Sequence, residues 1–423
     1  MRFGIKTLDD FDVAGRTVLL RVDINQPVDR KSGTLKDTTR VKACIPTIGE
    51  LADKGAKVVL LAHQGSDIEY KNFYTTEPHS RVLSELLGRE VKFIDDVCGP
   101  AARDAAAALK NGEILLLDNV RFLSEEQTLF ELNLKLSHEQ QAETLLVRKL
   151  APLADLYVCD AFAAAHRDQP SLCGFEQVLP SAMGRLFEEE FCVISGVMEA
   201  PERPCVFVLG GAKINDAFMM MSAVLSEGTA DKVLTGGLVG EVLLWSDGSD
   251  IGEGARALIR KAGYEGLVET GKRLLTEYRG RIVLPEDFAY IKDGARNECP
   301  VGSLPPGELV VDIGSETAAC YSETILGAKT IFVNGPMGVF EEAAGELGTK
   351  AVWDALGQTE GYTVVGGGDS IAATKKYGKT DKVSYICTGG GALIRFLAGE
   401  ELPAVKALRL AANREVTSGA VGI

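Results

Sequence analysis

The chain has 423 residues, beyond the length at which one hydrophobic core keeps growing, so two domains of about 200 residues with a cleft between them are expected. Hydrophobic residues make up 46% and charged residues 25%, the mixture of a water-soluble globular protein, and no run of about 20 apolar residues is there to span a bilayer. Asp and Glu number 60 against 45 Lys and Arg; the formal charge of −15 repels nucleic acid, and any anion site must concentrate its cations locally.

The N-terminal stretch MRFGIKTLDDFDVAG lacks the basic start and apolar core of a secretory signal, which predicts a cytoplasmic location. Short apolar runs then alternate with amphipathic stretches. The first are TVLLR at Thr17 to Arg21, KVVLLA at Lys57 to Ala62, EILLLD at Glu113 to Asp118 and LYVCD at Leu156 to Asp160. Continuous apolar runs of this length suit parallel strands covered by helices on both faces. SHEQQAETLLVRKLA reads as one helix, opened by Ser137 and Gln140 in capping-box spacing. LPSAMGRLFEEEFCVISGVM reads as a helix bridging two halves, with a boundary between residues 176 and 195. The second half continues with strands at Cys205 to Leu209, Lys232 to Leu234, Arg281 to Leu284, Glu308 to Ile313, Thr330 to Asn334, Thr363 to Val365 and Val383 to Cys387. The pattern predicts an α/β fold: two doubly wound, Rossmann-like parallel-sheet domains facing a hinged cleft.

Nine cysteines are scattered without a CxxC pair, and Cys44, Cys159, Cys205 and Cys387 fall in or beside apolar runs. They read as reduced core thiols, and four histidines without HxxxH spacing argue against a zinc enzyme.

Ligands of open α/β sheets gather at the carboxyl ends of strands. In the first half those ends carry Arg21, Asp23 and Asn25, then His63, Arg121, His166 and Arg167, with Arg40 following in DTTRVKA. Any one of these arginines reads equally well as a surface ion-pair partner, and either histidine as a satisfied neutral hydrogen-bonder. Several together at strand ends of an acidic chain point to a pocket for phosphate or carboxylate.

In the second half the strand ends carry glycine instead: LGGAKIND, TGGLVG, NGPMG, GGGDS and TGGGA. One glycine pair is explained by turn geometry, but five predict backbone amides and helix N-termini gathered around a nucleotide. Neither GxxxxGK[ST] nor GxGxxG occurs in a suitable setting, which argues against a P-loop ATPase and a dinucleotide oxidoreductase. Asp369 either caps the helix that follows it or holds magnesium. Lys213 lies in a glycine turn, where a cation neutralises a transferring phosphoryl group. Met219 to Met221 read as helix packing.

These segments resemble the phosphoglycerate kinase family from end to end. RVDINQP is similar to the family's RVDFNVP, LLAHQGS to its SHLGRP, LLLDNVRF to LLENVRF and YVCDAFAAAHR to YVNDAFGTAHR. VLGGAKIND, FVNGPMGVFE, VVGGGDS and ICTGGGA are similar to GGAKV, WNGPMGVFE, IGGGDT and STGGGA, and the AFAAAHR and AHQG variants look like the archaeal branch. The resemblance implies a glycolytic kinase transferring a phosphoryl group reversibly between ATP and 3-phosphoglycerate, with Mg2+ required. It implies that Asp23, Asn25, Arg40, His63, Arg121 and Arg167 surround 3-phosphoglycerate. Lys213, Gly314, Asn334, Glu341, Gly367, Gly368, Asp369 and Ser370 would lie on the nucleotide side, with Glu341 on the ribose hydroxyls and Asp369 on magnesium. Arg40, Lys213 and the helix ends opened by Gly368 and Gly391 would stabilise the transfer. It further implies an acceptor domain over residues 1–180 joined by the C-terminal segment 403–423, a nucleotide domain over 181–402, hinge closure between them, and a monomer or weak homodimer with no membrane or nucleic acid partner.

Some positions depart from the family pattern: Ser66 stands at the arginine that ends HLGR, Ala217 follows the GAK turn where many members carry lysine, Tyr385 and Cys387 precede TGGGA, and Ser370 replaces threonine. Ser66 removes a cation from the expected acceptor site, for which Lys71 is a candidate substitute. Two other readings follow, a kinase of the same fold acting on another small carboxylate or phosphorylated acid, and a catalytically silent nucleotide-binding homologue. The presence of Arg40, Lys213, Glu341 and Asp369 together argues against the last.

Overall fold

A computed structural model of the chain describes residues 1–29, 31–66 and 73–414. The chain divides into two compact units, one formed by Met1–Cys192 with the segment from Glu401 onward, the other by Val193–Glu400.

The first unit is built on six parallel strands: β1 (Thr17–Arg21), β2 (Lys57–Leu61), β3 (Val91–Ile94), β4 (Ile114–Leu117), β5 (Leu156–Cys159) and β6 (Ser181–Met183). Their order across the sheet is β3-β4-β2-β1-β5-β6, with Leu19 flanked by Val59 and Tyr157. Every residue of β4, β5 and β6 is buried, which is why these runs do not alternate: both faces are covered. One face packs on the helix Thr39–Asp53 through Val41, Cys44, Ile48 and Leu51. The helix Pro403–Asn413 buries Val405 and Leu408, and its Arg414 donates to the Leu179 carbonyl at 2.7 Å.

The second unit contains β7 (Cys205–Leu209), β8 (Lys232–Thr235), β9 (Ile282–Val283), β10 (Asp287–Lys292), β11 (Ala295–Pro300), β12 (Val310–Ile313), β13 (Thr330–Asn334), β14 (Tyr362–Gly366) and β15 (Tyr385–Cys387). Six of these form a second parallel sheet in the order β15-β14-β13-β7-β8-β9. Two parallel-sheet α/β units are thus present, as the sequence predicts. The run at Glu308 to Ile313 departs from that expectation. It belongs to a separate antiparallel sheet, β11-β10-β12, whose hairpin turns at Asp293 and Gly294, both at positive φ as a two-residue turn of the primed type requires.

Two helix expectations are corrected. The stretch from Ser137 forms two helices, His138–Ala142 and Leu145–Leu150, because the Glu125 carboxylate accepts the N–H groups of Leu145 and Leu146 at 3.1 and 2.6 Å and so starts the second. The predicted capping box at Ser137 and Gln140 is formed. In the bridging stretch, residues Ser181–Met183 are strand β6 and the helix begins only at Arg185–Glu199. Gly184 makes the change of direction, where a β-carbon would stand 2.3 Å from the Asp160 carboxylate. That carboxylate accepts the Phe187 N–H at 3.1 Å.

All nine cysteines are free, and Cys44, Cys159, Cys205 and Cys387 are buried as expected. Met220 and Met221 are core residues, whereas Met219 is exposed. No helix among the described residues is long and apolar enough to cross a membrane.

Candidate functional site

In the first unit the predicted residues converge at the carboxyl ends of β1, β2 and β4. Arg40 occupies the first turn of the helix Thr39–Asp53, where the helix dipole disfavours a cation, and its Nη1 is held 2.6 Å from Asp23 Oδ2. Asp23 Oδ1 also accepts the Asn25 N–H, and Asn25 Oδ1 accepts the Gly65 N–H at 2.8 Å. Arg121 donates to the Gly65 carbonyl at 2.6 Å, so one glycine of the β2 loop fixes residues from two others. Ser66 follows it, half-buried, and Lys71 lies outside the described residues.

His63 reports the charge of this group. Burial first, then Arg121, Arg21, Arg40 and Arg167, push its imidazole well below the usual 6.5, so the ring is neutral at neutral pH. Four guanidinium groups bearing on one buried ring are the local concentration of cations that an acidic chain needs to bind an anion. They are not equivalent. Arg21 is buried and committed to Ser171 Oγ at 3.0 Å, the Val22 carbonyl at 2.6 Å and His63 Nδ1 at 3.1 Å, a structural role. Arg40 and Arg167 retain about a third of their exposure, Arg167 with Glu131 3.6 Å away, whereas Arg121 is buried with its Nη1 on the Gly65 carbonyl. His166 is half-buried and follows the short helical turn Phe162–Ala164.

Sequence reading gave no role to the residues that tie these loops together. Asn119 is fully buried; its Nδ2 donates to the carbonyls of Gln64 and Tyr74 at 2.8 and 2.9 Å, and its Oδ1 accepts the N–H groups of Gln64 and Arg121. Gln64 makes a two-way clip with the Gln26 backbone at 2.8 and 3.1 Å. A polar amide inside LLLDNVRF and another inside LLAHQGS were the available signals.

In the second unit a cavity of about 350 Å³ opens beside the ends of β7, β8 and β13. Its walls are mostly apolar, including Leu258, Phe288, Val311, Met337 and Phe340, and its polar members are Glu241, Asp312, Glu341 and Asp369. Such a mixture suits a flat apolar base with a few oriented polar contacts. Strands β10 and β12 of the antiparallel sheet supply Phe288 and Val310 to Ile313, a wall that the sequence reading did not assign. Lys376 fixes Phe340 by donating to its carbonyl at 2.5 Å and pairing with Glu346 at 2.8 Å.

Glu341 and Asp369 therefore line one cavity. Asp369 lies in the first turn of the helix Gly368–Lys376, whose N-cap is Gly367; no side chain caps that end, so Asp369 is not a cap. A β-carbon on Gly368 would meet nothing within 4 Å, which leaves the helix end open. Asn334 lies against Gly367, its Oδ1 3.0 Å from where a β-carbon would stand, and its buried Nδ2 has no protein partner. Lys213 is exposed at the N-cap of the uncapped helix Ile214–Ser226, and Gly391 is exposed in the first turn of Gly390–Leu397.

Other predicted members serve the scaffold. Ser370 is buried and its Oγ accepts the Gly335 N–H at 2.7 Å. Gly314 precedes the helix Ser315–Leu326, but that helix end is occupied: the Asp287 carboxylate accepts the N–H groups of Glu316 and Thr317 at 3.0 and 2.9 Å. A β-carbon on Gly314 would lie 2.1 Å from that carboxylate, which is why the position is glycine. Gly210 and Gly335 likewise serve loop crossing: a β-carbon on either would stand 2.1 Å from a backbone oxygen of the Pro336 or Gly210 loop.

The family model described as phosphoglycerate kinase matches residues 8–400. A phosphoglycerate kinase of Methanothermobacter thermautotrophicus is 48% identical over 406 residues, covering 96% of this chain and 97% of its own, and one from Thermococcus kodakarensis is 43% identical, covering 96% and 98%. The crystal structure of phosphoglycerate kinase from Pyrococcus horikoshii OT3 matches with a TM-score of 0.86 at 41% identity, over 96% of this chain and 99% of that one. The phosphoglycerate kinase structure from Coxiella burnetii matches with a TM-score of 0.80 at 29% identity, over 97% and 100%.

Proposed function

The chain belongs to the phosphoglycerate kinase family and has its activity, phosphoryl transfer onto a carboxyl group, and we propose that its two units divide the substrates of that reaction. The first unit takes 3-phosphoglycerate through Arg40, Arg121 and Arg167, with Asp23, Asn25 and neutral His63 orienting it. The second takes ATP or ADP, the base against the apolar wall, Glu341 on the ribose and the phosphates toward Gly367 and Gly368. The observation that carries the reading is the gathering of Arg21, Arg40, Arg121 and Arg167 around the buried His63 in a chain of net charge −15.

Asp369 fits a magnesium ion: it offers a hard oxygen in the cavity beside an uncapped helix end, a donor of the kind that holds Mg2+ against phosphates. When bound, the ion neutralises charge on the β- and γ-phosphates. The protein supplies positioning and further charge. Arg40 orients the attacking carboxylate and Lys213 faces the transferring group. The amides at the helix ends of Gly368 and Gly391 hold the phosphate oxygens. In-line transfer requires the attacking oxygen and the phosphoryl group to meet, so the units must bring their ligands together at that moment. Nine free thiols support a reducing, cytoplasmic setting.

The test is a coupled assay of ATP consumption with 3-phosphoglycerate and Mg2+, on the protein and its Arg40→Ala variant. Turnover that falls by about a hundredfold or more in the variant supports the assignment. Measurable nucleotide binding without turnover overturns the acceptor. Ser66, where the family pattern has arginine, favours one second reading, a related phosphorylated or carboxylic acid as acceptor, which a substrate panel separates.

A further inference from the structure

Outside both ligand groups, the first unit brings together three side chains that no sequence motif connects. His138 opens the helix His138–Ala142, Asp168 follows Arg167, and Cys173 ends the helix Pro170–Cys173. One ligand atom from each, an imidazole nitrogen, a carboxylate oxygen and the sulfur, all lie within 4.8 Å of one another. We propose that His138, Asp168 and Cys173 form a binding site for a borderline-soft divalent cation, zinc above all, with solvent as the fourth ligand.

The geometry is that of a site close to closure. With Zn–N and Zn–O bonds near 2.0–2.2 Å and Zn–S near 2.3 Å, tetrahedral angles put neighbouring ligand atoms about 3.3–3.6 Å apart. His138 Nε2 and Asp168 Oδ1 are already 3.4 Å apart, so the sulfur needs to approach by about 1.5 Å at most, from the 4.8 Å limit. The donor set selects the ion: thiolate and imidazole suit zinc, whereas Mg2+ and Ca2+ take oxygen ligands. Access exists from outside, since the Asp168 side chain is 42% exposed and that of His138 11%.

The surroundings complete the coordination. Gln141 Nε2 donates to Asp168 Oδ1 at 2.6 Å and remains to orient the carboxylate once the metal replaces its contact with His138. Glu131 accepts the Asp168 N–H at 2.9 Å and adds negative charge nearby. Cys173 Sγ now donates to the Arg167 carbonyl at 3.7 Å. Binding converts that thiol to a metal thiolate, the proton leaves to solvent, and the hydrogen bond to Arg167 is given up.

The full-length protein, stripped with chelator, is titrated with Co2+ and then with Zn2+. The expected result is one Co2+ per chain, with a thiolate-to-cobalt charge-transfer band and tetrahedral visible bands, both abolished by Zn2+. Cys173→Ser removes the charge-transfer band, and His138→Ala weakens Co2+ binding by about tenfold or more. Both variants keep their turnover with 3-phosphoglycerate and ATP. Absence of the band in the unsubstituted protein overturns the proposal, as does a band that survives Cys173→Ser or an affinity that His138→Ala leaves unchanged.

Discussion

The side-chain amide of Asn119 joins the loops that follow β2 and β4, donating to the carbonyls of Gln64 and Tyr74 and accepting the N–H groups of Gln64 and Arg121. Asn119 looked ordinary, since its partners Gln64 and Tyr74 are 55 and 45 residues away. Removing it takes a donor from the carbonyls of Gln64 and Tyr74 and an acceptor from the N–H groups of Gln64 and Arg121. Asn119→Ala should cost about 3 kcal/mol or more in urea unfolding, and should raise the KM for 3-phosphoglycerate because Arg121 loses its anchor. Glu241 is the converse case, unremarkable in sequence and buried at the wall of the second unit's apolar cavity. Desolvation lifts its carboxyl from the ordinary 4.5 to about 8. The folded state therefore holds a proton that the unfolded state lacks across that interval. Its contribution to stability is complete below pH 4.5 and is lost as pH rises toward 8. Glu241→Gln cannot titrate, so its unfolding free energy relative to the parent should climb by about 1.4 kcal/mol per pH unit across this range. Parallel pH profiles for the two proteins would refute the buried, protonated acid.

At the scale of elements, the strongest periodic signals survived. Strands at Thr17–Arg21, Cys205–Leu209 and Thr330–Asn334 are found with the predicted bounds, because a central parallel strand is covered on both faces and its apolar centre runs unbroken. The edge strands Val91–Ile94 and Ser181–Met183 were missed; each has only three or four residues, too few for a pattern. The hairpin from Asp287 to Pro300 was missed because its charged residues hide it, and β12 was assigned to the wrong sheet because an apolar run does not specify its partner. Glycine loops are ambiguous for a related reason. A glycine that admits a phosphate and one that admits another loop look alike in sequence, and only distances between distant segments separate them. Gly335 has φ +95° and would put a β-carbon 2.1 Å from the Gly210 carbonyl oxygen, whereas Gly368 faces open space. Gly335→Ala should lower the melting temperature steeply or abolish folding. Gly368→Ala should leave the melting temperature within a degree or two while ATP affinity, measured by calorimetry, falls. Equal thermal losses in both would mean that Gly368 is scaffold as well.

The whole molecule joins two units, each with its own parallel sheet and core, through one helix, Arg185–Glu199, and through the return of the chain after Glu400 to the first unit. Why a chain should come back after completing the second unit follows from what the returning helix buries. Ala404, Val405, Ala407, Leu408 and Ala411 are all covered, and burial of these side chains is worth on the order of 5 kcal/mol to the first unit. The first unit is therefore not complete until the segment after Glu400 has been made, by which point all of the second unit has been synthesised. A chain ending at Glu400 should retain nucleotide binding in the second unit while the first loses most of its margin of stability. The two tryptophans make this measurable, since Trp245 and Trp353 both belong to Val193–Glu400. Urea unfolding of the truncated chain should show tryptophan fluorescence changing near its original midpoint, while circular dichroism acquires an earlier transition from the first unit. A tryptophan midpoint that moves as far as the earlier circular dichroism transition would mean that the units unfold as one, and that the returning helix stabilises the whole chain and not its first half alone.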